Sequence, residues 1–266
     1  MMKFICWEGS DAAVGKKSLA KNAILNMFRT LMSMIFPLIT YPYVTRVLQV
    51  ENIGKINFSG SVVSYFSLIA GLGIGTYAIR EGAALRQDKR KFEIFSNEIF
   101  TINVISSVVS YGLFLCTLFF VIDLHSYIPL ILIQSIGIIA PAIGVEWLYS
   151  VYEDYEYITI RSIVVQLVSM VLLFILVHNQ SDYALYAGIT VFSSTAAYLF
   201  NFFHSKKYIK LRLTGSPNIK KHIKSIIVIF AMSVATTIYV NSDTTMLGFM
   251  AGDYYVGLYN AATKIY

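Results

Sequence analysis

Residues Ile99–Ile122 read IFTINVISSVVSYGLFLCTLFFVI, 24 positions without one charged side chain. A helix needs about 20 mostly apolar residues to cross the hydrocarbon core of a bilayer. A stretch of this length, buried in a soluble protein, would need partners on every face. The whole chain repeats the pattern. Of its 266 residues 56% are hydrophobic and 14% charged, against roughly 25% charged in a soluble domain. So few charges would leave large apolar patches in water.

Seven such runs and the start of an eighth follow one another. They are Asn22–Val47, Asn57–Ile79, Ile99–Ile122, Ile128–Ser150, Thr159–His178, Ala184–Phe203 and Ser225–Met250, with the eighth beginning near Leu258. In lipid each must be a helix, because an open sheet would leave backbone N–H and C=O groups unpaired. The predicted fold class is therefore all-α, a polytopic membrane protein with one six-helix bundle and the start of a second. Residues 1–18 read as a cytoplasmic tail without the features of a signal peptide. Residues 19–224 form the first bundle with its loops, and 225–266 open a truncated second one.

The basic residues test the layout. Seventeen of them fall in the tail and in the loops after spans two, four and six, whereas the opposite side holds Arg46 and Lys55. The excess of Lys and Arg marks the cytoplasmic side, so the N-terminus is cytoplasmic. The same distribution accounts for the net charge of +6 and argues against a nucleic-acid partner. Cys6 and Cys116 suggest no disulfide or metal site, and Cys116 reads as a small packing residue. Gly54 with Asn57 and Gly257 with Asn260 repeat Gly-x-x-Asn 203 positions apart, at the same place relative to spans one and seven. Transporters are often built from such repeats.

The polar residues left inside the spans carry the functional reading. Asn22, Asn26, Arg29, Ser33, Pro37 and Thr40 recur every three or four residues and share one face of span one. An arginine inside a span costs about 2.5–3.5 kcal/mol on insertion scales, so it faces a cavity or a partner, unless it snorkels to the nearby surface. Pro37 and Pro42 each remove a backbone donor and are hinge candidates. Glu146, Glu153, Tyr157 and Arg161 fall on one arc if the helix of span four continues, and with Arg80 and Glu81 they are candidates for a charged network at the cytoplasmic mouth. Glu146, with apolar sequence neighbours, is an ion-coupling candidate. Asp243 in span seven is a second, and also a cavity-lining candidate. The four histidines stand apart in loops or at span ends. No catalytic constellation stands on a sizeable extramembrane segment, so an enzyme, a cofactor and a metal site are not predicted.

Several stretches resemble a known family. FPLITYPYVTRVLQVENIGKINFSGSVVSYFSLIAGLGIGTYAIRE (Phe36–Glu81), FSNEIFTINVISS (Phe95–Ser107), EWLYSVYEDYEYITIRSIVVQ (Glu146–Gln166) and NSDTTMLGF with VGLYNAA (Asn241–Ala262) are similar to the oligosaccharide flippases for O-antigen (lipopolysaccharide), capsule and exopolysaccharide units. The resemblance covers nearly the whole chain after the tail and places it in the polysaccharide-exporter and multidrug-antiporter superfamily. It implies two six-helix bundles around a central cavity in the bacterial cytoplasmic (inner) membrane, a polyprenyl-diphosphate-linked oligosaccharide as substrate, and ion coupling. Membrane lipid and a polysaccharide polymerase or export machinery are the implied partners. The chain departs from the family where Ser150-Val151 replaces a usual Gln-Gly and where Thr244, not a basic residue, follows Asp243. Alternatives are a multidrug-type cation antiporter of the same fold and, because the chain stops within span eight, an inactive truncated flippase. A cysteine placed at Lys210 is expected to stay unlabelled by an impermeant maleimide in intact cells, and one at Ser181 to be labelled; the reverse result would invert the topology.

Overall fold

A computed structural model describes residues 19–265, and the expected tail over residues 1–18 lies outside the described residues. The elements are α1 (Leu19–Gly71), α2 (Ile74–Leu85), α3 (Lys89–Phe120), α4 (Ile128–Gly144), α5 (Glu146–Val151), α6 (Tyr155–Leu176), α7 (Tyr183–Ser205), α8 (Ile219–Met250) and α9 (Asp253–Ile265). Short 3-10 turns precede α4 and α7.

A straight 53-residue α1 would be about 80 Å long, far beyond the roughly 30 Å hydrocarbon core. It doubles back at Gln49, whose φ of 65° and ψ of 164° are not helical. Arg29 of the first limb (19–48) and Gly71 at the end of the second limb (50–71) accordingly both lie beside Glu146. The loop expected over residues 48–56 shrinks to this one residue. The helix carries through Pro37 and Pro42, so the bend sits where neither proline is.

Among the described residues six helices are long and apolar enough to cross a membrane, and the doubling of α1 makes the first of them two crossings. Neighbouring crossings alternate in direction. The first limb runs parallel to α6, with Lys21 on Glu156 at one end (2.7 Å) and Tyr43 donating to the Val177 carbonyl at the other (2.7 Å). The second limb runs antiparallel to α3, where Ser106 and Ser110 donate to the carbonyls of Ala70 and Phe66, each at 2.6 Å. The α7–α8 connector returns to α3, with the Arg212 and Asn218 amides donating to Asn97 and Glu98. Arg86 also meets Glu153 at 2.6 Å. The loops rich in Lys and Arg thus gather at one end of the bundle, the basic end.

Three further breaks correct the sequence reading. Span two is interrupted at Leu72 (φ 47°) and Gly73 (φ 68°), and span four at Val145 (φ 37°), with Glu153 (φ 53°) breaking the helix again. Span three starts earlier than expected, at Lys89, because Asp88 caps it by accepting from the Lys91 amide at 3.1 Å. That hydrogen bond holds the Asp88 carboxyl below its usual range. The eighth helix starts at Asp253.

The packing is that of a membrane protein. Ser59, Ser96, Ser110 and Asn201 are fully buried, while Val108, Phe119, Ile175 and Phe203 face outward. Lipid tails are as apolar as leucine, so burying leucine between helices gains little. Small residues and interhelical hydrogen bonds do the joining instead. Cys116, expected to pack inside, is exposed.

The Gly-x-x-Asn repeat becomes a pair of reciprocal contacts. A Cβ on Gly54 would lie 1.8 Å from the Asp253 carbonyl oxygen, and one on Gly257 would lie 2.1 Å from that of Val50. Asp253 is 203 positions after Val50, as Gly257 is after Gly54. Gln49 and Gly252, both at positive φ, stand the same distance apart and open the second limb and α9 respectively. Ser61 meets Thr245, and Lys264 stands over the Tyr41 ring. Mutual contacts of this kind are what a two-fold axis produces. Gly54→Val is expected to lower the melting temperature of the detergent-solubilised protein, since overpacking typically costs about 1–3 kcal/mol. Gly112→Ala, with nothing near its added carbon, is expected to leave it unchanged or slightly raised; equal losses for both would contradict the reciprocal contact.

Candidate functional site

A cavity of 360 Å³ opens inside the first bundle between the first limb, the start of α5, α6 and α7. Glu146 lines it between two arginines. Its Oε1 accepts from Arg29 Nη2 at 2.8 Å and lies 3.7 Å from Arg161 Nη2. One carboxylate faces two guanidiniums, so the cluster keeps a net positive charge. The Arg161 side chain is 6% exposed. Its Nη1 donates to Asn201 Oδ1, and its guanidinium lies 5.7 Å from the Tyr157 ring centre. Asn201 is itself held by Tyr149, whose hydroxyl donates to the Asn201 carbonyl.

The break at Val145 creates this arrangement. With a continuous helix, Glu146 would follow the axis of α4; instead it opens α5 and meets Arg29 and Arg161. The single arc expected from Glu146 to Arg161 does not form. Glu153 turns to Arg86, and Arg80 pairs with its neighbour Glu81 at the surface, at 3.1 Å. Of the expected arc, Glu146, Tyr157 and Arg161 stay together. Glu146 is no isolated carboxylate among apolar neighbours: its partners come from residues 29 and 161, remote in sequence.

The rest of the wall is polar. Asn26, Thr30 and Ser33 line it from the first limb, Ser162 and Gln166 from α6, and Ser193 and Ser194 from α7. Asn22 and Thr40, expected on the same stripe, lie elsewhere. Both are buried, and Thr40 spends its hydroxyl on the Phe36 carbonyl. Ser162 and Gln166, one turn apart beside Arg161, were a readable signal that the sequence reading passed over.

A second cavity, of 730 Å³, lies toward the opposite end between the second limb, α4, α7, α8 and α9. It is lined by amides and phenols, among them Asn57, Gln134, Asn241, Asn260 and Tyr259, and it holds one carboxylate, Asp243, and one ammonium, Lys264. Tyr259 donates to Asp243 at 2.5 Å.

His222 corrects the reading of the histidines as isolated. It is fully buried at the start of α8, with Nδ1 2.8 Å from the Tyr77 hydroxyl and Nε2 3.0 Å from Glu98 Oε2. It pins α8 to α2 and α3 at the basic end. Its partners lie 145 and 124 residues away, beyond any local pattern.

Comparison with known proteins agrees with this architecture. A family model described as "Polysaccharide biosynthesis protein" matches residues 19–266. A Shigella dysenteriae protein called "Putative O-antigen transporter" is 27% identical over 236 residues, 87% of this chain and 58% of that one. An Escherichia coli (strain K12) protein of the same name is 26% identical over 260 residues, 94% of this chain and 61% of that one. The chain thus spans about three-fifths of the length of these curated relatives. A solved structure named "protein A" superposes with a TM-score of 0.61 at 15% identity, over 95% of this chain and 62% of that chain. That likeness shows the fold.

Removing Glu146 leaves the buried Arg161 without its carboxylate, and breaking such a pair costs more than removing both charges. Glu146→Gln is therefore expected to lower the melting temperature more than Arg29→Gln. The double variant is expected to fall short of the sum by about 1 kcal/mol, within the usual range for contacting residues. Additive losses would mean that Arg29 and Glu146 do not interact.

Proposed function

From the premise that this chain belongs to the polysaccharide biosynthesis protein family, we propose that it forms the first part of a flippase, a transporter and not an enzyme. Its substrate is a polyprenyl-diphosphate-linked oligosaccharide for surface polysaccharide, moved from the cytoplasmic to the outer leaflet of the bacterial inner membrane. The basic end and the N-terminus face the cytoplasm, following the excess of Lys and Arg there. The described helices then comprise one bundle (residues 19–224) and the opening of a second.

The cavity around Arg29, Glu146 and Arg161 carries this reading. Two guanidiniums against one carboxylate leave an uncompensated positive charge in a low-dielectric setting, which favours an anion. A guanidinium matches phosphate geometry with paired donors, and the hydroxyls and amides of the wall suit sugar hydroxyls. The lipid tail stays in the bilayer, because each methylene withdrawn costs about 0.8 kcal/mol. Transfer of the polar head is therefore the step that needs a protein. A multidrug cation would meet the wrong sign of charge here. For ion coupling Asp243 is the stronger of the two candidates: it accepts from one phenol in an open polar cavity that Lys264 also lines, while Glu146 is engaged directly by two guanidiniums. The product would pass to a polymerase on the far side.

Hydrogen bonds to charged groups contribute about 1.5–3 kcal/mol each, so loss of one should slow transport at least about tenfold. In cells lacking their own flippase and supplied with the matching glycan, the full-length protein is expected to restore surface polysaccharide. Arg29→Ala should reduce it about tenfold at equal membrane abundance. Undiminished rescue by Arg29→Ala would remove the cavity from the mechanism, and absence of rescue by the unaltered protein would overturn the function.

A further inference from the structure

Five buried side-chain nitrogens have no hydrogen-bond partner among the described residues, those of Asn22, Trp147, Arg161 (Nε), Asn201 (Nδ2) and His204 (Nε2), and two of them, Arg161 Nε and His204 Nε2, belong to one groove. A buried polar atom without a partner costs about 1–3 kcal/mol and calls for an explanation. Both residues line one groove, of 620 Å³, between α6 and α7. Its walls are otherwise apolar, with Ile160, Val164, Phe200 and Phe203 all more than half exposed on the flank that faces lipid. Tyr157 forms the polar edge. Its ring stacks on His204 at 4.1 Å with planes 10° apart, and the Arg161 guanidinium lies over its face.

Arg161 and Val165 also line the polar cavity of the first bundle. One buried guanidinium therefore stands between an apolar groove open to the bilayer and a chamber of hydroxyls and amides. The groove lies toward the basic end of the bundle. Arg161 lies six residues into α6, about 9 Å from its first residue at 1.5 Å per residue, and His204 is next to the last residue of α7.

The order apolar, cationic, polar matches a molecule whose parts run hydrocarbon, phosphate, sugar. We propose that the α6–α7 groove is a binding site for the carrier lipid of the substrate. Its first isoprene units lie along Ile160, Val164, Phe200 and Phe203. Its diphosphate accepts from Arg161 Nε and His204 Nε2, and its first sugar points into the polar cavity. This assignment rests on the proposed function. It adds a lateral entrance through the side of the first bundle, so that the head group reaches the charged cavity while the tail never leaves hydrocarbon. A phospholipid places acyl esters on one side of its phosphate and a small alcohol on the other, which leaves the polar chamber unfilled.

The test uses the full-length protein in membrane vesicles and two photoreactive probes. One is a polyprenyl diphosphate with a diazirine on its first isoprene units, the other a phosphatidylglycerol with a diazirine at the same depth. The diphosphate probe is expected to label peptides containing residues 157–165 and 200–204 at least fivefold more than the phospholipid probe. Val164→Trp, on the lipid-facing wall and away from the buried Arg161 contacts, should cut that labelling at least fivefold with an unchanged melting temperature. Arg161→Lys, which keeps the charge but loses Nε, should also reduce it. Equal labelling by the two probes, labelling centred on other helices, or indifference to Val164→Trp would overturn the groove. Rescue by the unaltered protein in the complementation assay would then still stand for the transport function, so the two failures are separable.

Discussion

The contact of Glu146 with Arg29 and Arg161 is the interaction around which the first bundle is arranged. An ionised group cannot be left unpaired among apolar helices without a cost of several kcal/mol, so Arg161 must be met wherever it lies. Its partners come from α5 and α7 as well as its own helix: Glu146 on one side, Asn201 on another, the Tyr157 face beneath. Satisfying it fixes the break at Val145, because only a chain that leaves the axis of α4 there brings Glu146 into reach. One guanidinium beyond what the carboxylate neutralises is left over. The same constraint thus shapes the backbone and gives the cavity its sign.

The two halves of the repeat share their backbone contacts but not this chemistry. At the spacing of 203, Gly54 answers to Gly257 and Gln49 to Gly252, whereas Arg29 answers to Met232 and Thr40 to Asp243. Close backbone approach has been kept where the halves touch, since any side chain at Gly54 or Gly257 would strike a carbonyl oxygen. Charge has been placed differently in each. The first half holds the arginine pair inside its own helices, and the carboxylate of Asp243 sits in the cavity where the two halves meet. The frame is symmetric while the distribution of charge over it is not, so the arginine pair and the Asp243 carboxylate stand in different cavities. Buried His222, held by Tyr77 and Glu98, joins the halves at the basic end.

The crossings themselves were legible because each is a long apolar run, and length alone identifies them. Their breaks were not. Gln49, Leu72, Val145 and Glu153 take positive φ, a conformation whose usual signal is glycine, and none of them is glycine. Gly252 does carry that signal. The repeat was readable from four residues because two of them, Gly54 and Gly257, are required by contact. The polar stripe of span one was readable in part: Asn26, Arg29 and Ser33 line the cavity, while Asn22 and Thr40 are buried outside it, Thr40 bonded to the Phe36 carbonyl. The partners of Glu146, Arg161 and His222 were hidden by separation along the chain, since periodicity reports a face and not what that face meets.

On the proposed function, the surplus positive charge at Arg29 and Arg161 receives the diphosphate of a lipid-linked glycan. The most direct measurement is an experimental structure of the full-length protein with a short-chain prenyl diphosphate sugar bound. Phosphate oxygens are expected within about 4 Å of the Arg29 or Arg161 guanidinium, the distance of an ion pair, with the sugar among Ser162, Gln166 and Ser193. A phosphate bound elsewhere, with Glu146 still engaging both arginines and the cavity holding only water, would contradict it.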